Sequence, residues 1–276
     1  MAAPELSATA ETARRGDRAR FDAAMFAPPA LRERLFALIA LNVELSRIPE
    51  GVSEPMLGEI RLRWWADAID TLFQNGSPEG HEVVEGLVEP AKAGVLDQDT
   101  LMTMINARRA LLNPAPIDHA ALWKFLADTG GALAASQVRA LGGDDAAIEV
   151  AAKAGSAEGA GRLISALPAL LAQGADMLPV AALFDRNAAL EGAPSSELIA
   201  SVKALAEDAL VTLAAARRDR ALVPKSARAP LLSVREQERR LRAVLAPDAD
   251  IFTSNGAVSP FRETLSLFGR ALIGAF

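Results

Sequence analysis

The chain has 276 residues, with 35 acidic against 29 basic side chains, a formal net charge of -6 and 51% hydrophobic residues. That balance excludes a chain disordered through low hydrophobicity and high charge, and it argues against bulk nucleic-acid binding. Cysteine is absent and only two histidines occur, His81 and His119, which removes disulfides, thiolate metal sites, cysteine nucleophiles and any histidine-rich metal site within one chain.

Residues 1–20 mix Ala, Ser, Thr and Arg with Glu5, Glu11 and Asp17 and hold no apolar core of a secretory signal. Arg14, Arg15, Arg18 and Arg20 suggest a transit peptide faintly, but the interspersed acids favour a frayed, solvated terminus. One domain over residues 21–276 follows, since no Gly/Ser linker or repeat divides the chain. A domain of this length buries roughly 70–75% of its extended-chain surface. No stretch reaches the ~18–20 apolar residues of a membrane span, so membrane contact is expected to be peripheral at most.

The apolar spacing predicts helices, and alternating strand patterns are hard to find. Leu31, Leu35, Leu38, Ile39 and Leu41 place one over Ala30–Leu45. After Pro49 and Gly51, Ser53-Glu54-Pro55 reads as a cap leading into Met56–Phe73. Further helices are predicted over Val83–Ala93, Asp97–Leu111, Ile117–Leu141 with a break at Gly130-Gly131, Ala146–Leu171, Ser195–Arg217 and Val234–Leu245. The chain reads as all-α.

No phosphate-loop, dinucleotide or His-Glu-x-x-His motif occurs. Gly155, Gly159 and Gly161, with no strand before them, read as close helix packing. Trp64-Trp65 between Arg61 and Arg63 reads as helix core with arginine stems packed beside it. Asp97, Asp99, Asp144 and Asp145 read as helix starts, and His81 and His119 as structural or exposed. Arg108-Arg109 after Asn106 leaves two readings open: a guanidinium clamp for a phosphate, or a solvated helix face.

Phe36–Leu45, then Val52-Ser53-Glu54-Pro55 and Leu57–Ile69 with its Arg-Leu-Arg-Trp-Trp run, closely resemble the N-terminal part of the squalene/phytoene synthase superfamily. Echoes at Ile105–Arg109, Gly130-Gly131, Gly155 through Pro179 and Leu222–Leu232 extend the resemblance over nearly the whole chain. It implies an all-α, single-domain isoprenoid-synthase-like fold with a central cavity. Active members join two prenyl diphosphates head to head, with two aspartate-rich helical motifs holding magnesium. Carboxylates four residues apart share one helix face and supply the hard oxygens that magnesium requires.

In the first motif's register those two positions fall on Ser46 and Glu50, and in the second on Ala166 and Leu170, with Pro168 between them expected to disturb the helix. Asn106 stands where many relatives have an aspartate, and tyrosine is missing from the whole chain. The degenerate pattern, including Asn42-Val43-Glu44-Leu45, resembles the complex I assembly factor subgroup of the superfamily. The resemblance therefore implies a noncatalytic protein acting in assembly or maturation of respiratory complex I, with complex I subunits or assembly proteins as partners and room for a prenyl lipid. No catalytic residue, metal ligand or cofactor is assigned on this reading. Glu44, Arg47, Glu50, Arg61, Asn106 and Arg109 are the candidates for a polar pocket mouth. The expected location is cytoplasmic, with peripheral contact at the inner membrane. The alternative is a divergent prenyltransferase of squalene/phytoene type that uses magnesium and recruits Glu44, Glu50 and Glu158.

Overall fold

The structure is a computed structural model that describes residues 6–49, 51, 54–75, 80–112, 117–172, 177–179, 185–247, 249–252 and 276. Among the described residues every regular element is helical. In chain order they are α1 (Ala8–Gly16), α2 (Arg18–Ala24), α3 (Arg32–Arg47), α4 (Pro55–Asn75), α5 (Glu82–Gly86), α6 (Val88–Lys92) and α7 (Gln98–Ala107). They continue as α8 (His119–Leu126), α9 (Ala132–Ala140), α10 (Asp145–Ala172), α11 (Arg186–Leu190), α12 (Ser196–Arg218) and α13 (Val234–Val244).

Short polar side chains start these helices by accepting otherwise orphaned backbone N–H groups. Ser7 caps α1, Asp17 α2, Asp97 α7, Asp118 α8, Asp185 α11 and Ser195 α12. Asp144 accepts the amide of Ala147 at 2.9 Å at the start of α10, as the sequence suggests. Ser53 lies outside the described residues.

Two apolar clusters meet along α3 and α9. The larger packs α10, α12 and α13 around Leu163, Ile164, Leu167, Leu205, Leu213 and Leu241. The smaller packs α4 and α7 around Leu62, Ile69, Leu101, Met104 and Ile105. Leu35, Ile39 and Val43 of α3 belong to the first cluster, and Leu38, Leu41 and Leu45 to the second. This helix is apolar nearly all round because it is buried on both sides.

Four elements differ from the sequence expectation. Residues 6–20 are not frayed: α1 and α2 are formed, with Ala10, Ala13, Asp17 and Arg20 buried. The helix predicted over Val83–Ala93 is two short ones, α5 and α6, jointed at Leu87. The helix predicted across Gly130-Gly131 does not break; it widens into a π-helical stretch over Ala127–Gly131 and continues as α9. Pro168 lies inside α10, which runs on to Ala172. Proline removes one intrahelical hydrogen bond there, but Leu167 and Leu171 on either side are buried and hold the last turns in place.

The crossing of α10 with the stretch before α9 depends on absent side chains. A Cβ on Gly155 would lie 2.3 Å from the carbonyl oxygen of Gly130, and one on Gly130 would lie 2.5 Å from that of Gly155. Backbone meets backbone at this point, so no flexible side chain can yield. Gly155→Val should cost about 1–3 kcal/mol or more through overpacking. Urea denaturation should show a lowered midpoint for this variant and little change for a valine at exposed Ala169.

Candidate functional site

An open cleft of about 350 Å³ lies between the end of α3, the middle of α4 and the start of α5, lined by Glu44, Arg47, Ile48, Arg61, Trp64, Trp65 and His81. Trp64 and Trp65 meet edge to face at 5.1 Å between ring centroids, and His81 lies 4.8 Å from Trp65 and 5.4 Å from Trp64. The imidazole is held by the helix it starts: its Nδ1 accepts the amide of Val83 at 3.3 Å. Arg47 pairs with Glu44 at 3.1 Å, and Arg61 donates to the carbonyl of Gly51 at 3.5 Å. An aromatic wall beside two guanidiniums and one carboxylate suits a flat or apolar group with an anionic end.

Of the six pocket-mouth candidates, the structure brings Glu44, Arg47 and Arg61 together here. Asn106 and Arg109 form a separate group: Arg109 donates to the side chain of Asn106 and pairs with Glu59 of α4 at 2.9 Å. Glu50 lies outside the described residues. Trp64 is 45% exposed while its neighbour Trp65 is 4% exposed, so only one of the pair is core. Met56, Leu57 and Ile60 are exposed with Trp64, so the outer face of α4 is also apolar.

The degenerate motif positions sit in a different environment. The Ser46 hydroxyl donates to the carbonyl of Val43 at 2.8 Å. Ala166 is exposed, and Leu170 packs against the larger apolar cluster. Of the four positions only Glu50 keeps a carboxylate, and among the described residues no group of three His, Asp or Glu is placed to hold a magnesium ion.

One turn before Ala166 on the same face of α10 stands Arg162, part of a ring of charges. Arg20 pairs with Asp17 at 2.8 Å and with Glu158 at 3.0 Å, and Arg162 pairs with Asp17 at 3.1 Å and with Glu158 at 3.0 Å. The side chains of Arg20, Asp17 and Glu158 are 5%, 6% and 3% exposed. Ser165, beside Ala166, accepts a hydrogen bond from Arg240 of α13 at 2.6 Å. Guanidiniums therefore crowd the region of the second motif.

Titration follows from this ring. Burial opposes ionisation of Asp17, but Arg162, Arg20 and the amide of Arg20 outweigh it and hold the carboxyl below its ordinary 3.8. Arg162 loses to burial but gains more from Glu158 and Asp17, so its guanidinium stays charged. Glu238 is brought down from 4.5 to about 2 by the hydrogen bond from Arg217, against burial and with help from Arg242. Away from the ring, the exposed His119 Nε2 lies 3.0 Å from Asp208.

The Arg108-Arg109 pair, read from sequence as either a guanidinium clamp or a solvated face, splits in the structure. Arg108, and not Arg109, is the buried member of its pair, 8% exposed, with Nη2 donating to Asn42 at 2.7 Å. It continues the buried stripe Leu101, Met104, Ile105 at seven, four and three residues' distance, a phase visible in the sequence. Burial, with the charge of Arg20 adding to it, lowers its pKa to about 10.

A family profile described as squalene/phytoene synthase matches residues 13–263. The fold is similar to that of a dehydrosqualene synthase crystallised with a ligand, at a TM-score of 0.74 and 13% identity, covering 95% of this chain and 93% of that one. It is likewise similar to a squalene synthase from Alicyclobacillus acidocaldarius, at a TM-score of 0.73 and 15% identity over 86% of this chain and 91% of that one. At these identities the likeness concerns the fold. In sequence, the chain is 30% identical over 172 residues to the NADH dehydrogenase (ubiquinone) complex I assembly factor 6 homolog of Drosophila melanogaster, covering 56% of this chain and 48% of the relative. It is 29% identical over 103 residues to complex I assembly factor 6 of Bos taurus, covering 37% of this chain and 31% of the relative. The chain thus matches a third to a half of the length of these relatives.

Glu158→Gln removes charge from the ring and leaves two guanidiniums facing one buried carboxylate, which should cost about 3–5 kcal/mol. Urea denaturation should show Arg20→Met/Glu158→Gln to be less destabilised than the sum of the single variants. Because Asp17 and Glu238 titrate lower when folded, their contribution is present above pH 4.5 and is lost as pH falls through 3.8 and towards 2. Thermal melts between pH 7 and pH 2 should show that decline, smaller in Glu238→Gln.

Proposed function

The chain belongs to the squalene/phytoene synthase family, and from that premise we propose that it is a noncatalytic member serving assembly or maturation of respiratory complex I. The observation that carries this reading is the chemistry at the motif positions: a backbone-tied hydroxyl at Ser46, a methyl group at Ala166 and an isobutyl group at Leu170. Magnesium held on diphosphates needs several carboxylate oxygens, and the four motif positions keep one, Glu50. The matched sequence relatives are complex I assembly factors, which supports the partner.

An assembly component needs an uncovered apolar surface for a partner protein, and Met56, Leu57, Ile60 and Trp64 on the outer face of α4 suit that need. Among the described residues no helix is long and apolar enough to cross a membrane. On this reading the chain meets the membrane complex at the membrane surface, and the neighbouring cleft holds an apolar or prenyl group beside Arg47 and Arg61.

Deletion of the gene in the source organism tests the role. Assembled complex I on native gels should fall, while hopanoid and carotenoid content stays at the parental level. Normal complex I with depleted squalene- or phytoene-derived lipids would contradict it. In the complemented strain, Ile60→Glu/Trp64→Glu should fail to restore complex I while the purified variant melts within a few degrees of the unaltered chain.

A further inference from the structure

The outer face of α4 carries Leu57, Ile60 and Trp64 at i, i+3 and i+7, all exposed, with exposed Arg61 between them on the same side of the helix. That stripe spans two turns, about 10 Å at the helical rise. Trp64 also lines the open cleft, so the stripe runs into a recess walled by Ile48, Trp65 and His81. The neighbouring guanidiniums are already matched: Arg47 pairs with Glu44 at 3.1 Å, Arg63 with Asp67 at 2.8 Å and Arg109 with Glu59 at 2.9 Å. Arg61 differs from them. It donates to the carbonyl of Gly51 at 3.5 Å, and among the described residues no carboxylate pairs with it. Charge and length decide what covers this face. An anionic membrane surface is gripped by clusters of about four to eight basic residues, and beside this stripe one cation is unmatched. A second copy of the chain, related by a two-fold axis through the middle of the stripe, would set Arg61 against its own counterpart, like charge on like charge. A short amphipathic helix of a partner protein meets neither obstacle: its apolar side chains match two turns of α4, and one carboxylate satisfies Arg61.

We propose that α4 docks such a helix: a partner segment with apolar residues at i, i+3, i+4 and i+7, one large apolar side chain entering the cleft beside Trp64, and an acidic residue on the flank that faces Arg61. The rings of Trp64, Trp65 and His81 wall the pocket for the anchoring side chain. The planar fork of Arg61 takes the partner's carboxylate and fixes the register of the docked helix along α4. This rests on the reading that the exposed face of α4 meets a protein partner, and not on that partner's belonging to complex I.

Selection from a displayed library tests it with the purified full chain. The probes are helical peptides of about 16 residues, with apolar residues fixed at i, i+3, i+4 and i+7 and the flanking positions randomised among Glu, Lys and Gln. They are selected in parallel on the unaltered chain, on Arg61→Glu and on Ile60→Glu/Trp64→Glu. Peptides retained by the unaltered chain should share Glu at one flanking position, and replacing that Glu by Lys should weaken binding about 5–10-fold. Arg61→Glu should reverse the preference and bind the Lys peptide more tightly, while Ile60→Glu/Trp64→Glu should retain neither. The proposal is overturned if no peptide is retained, if the retained peptides share no acidic position, or if Arg61→Glu keeps the acidic preference. It is also overturned if the unaltered chain sediments with phosphatidylglycerol vesicles, or as a dimer, and Ile60→Glu/Trp64→Glu does not, since the face then belongs to a membrane or to a second copy. Either variant melting far below the unaltered chain makes these residues part of the fold and overturns it too. The selection contains no complex I, so its failure leaves the gene-deletion result standing, and an unchanged complex I level in the deletion strain leaves a positive selection standing.

Discussion

Asp17, Arg20, Glu158 and Arg162 close a ring of two carboxylates and two guanidiniums that joins the first two helices to the long helix α10. Each member is held by two others, so the desolvation cost of burying charge is offset only while the ring is complete. Arg20 and Glu158 stand 138 residues apart in sequence. Their contact fixes α2 against α10, and through α2 it orders the N-terminal segment over α3 and the 3-10 turn at Ala229–Ser233.

The helical frame and the chemistry it carries rest on different residues. Backbone contact at Gly130 and Gly155, and the two apolar clusters sharing α3, set the frame without using any of the motif positions. A few side chains can therefore change what the interior binds while the fold stays the same. Here arginines gather near the second motif and beyond it: Arg162 lies one turn before Ala166, Arg240 is bonded to Ser165, and Arg108 fills a slot in an apolar stripe. An interior with surplus guanidinium charge attracts anions and repels divalent cations.

Much of this was legible in the residues. The apolar periodicities of α3, α4, α10 and α12 and the capping aspartates at Asp97 and Asp144 lie within one or two residues of the observed elements. The glycines of α10 were readable as packing residues because no strand precedes them. The order of residues 6–20 was not legible, because the burial of Asp17 and Arg20 comes from partners far along the chain. Nor was the continuity of α10 through Pro168, where tertiary packing overrides propensity. In the cleft, Glu44, Arg47 and Arg61 could be named from sequence, but Trp64 and His81 join them only because α4 and the start of α5 converge. That Arg108 and not Arg109 is the buried member of the pair could have been found by extending the phase of Leu101, Met104 and Ile105 by one turn.

The sharpest measurement is pyrophosphate release by the purified chain supplied with magnesium and farnesyl or geranylgeranyl diphosphate. With one carboxylate left at the four motif positions, release should stay at the level of a protein-free control at every magnesium concentration. Robust, magnesium-dependent release would contradict the proposed noncatalytic role.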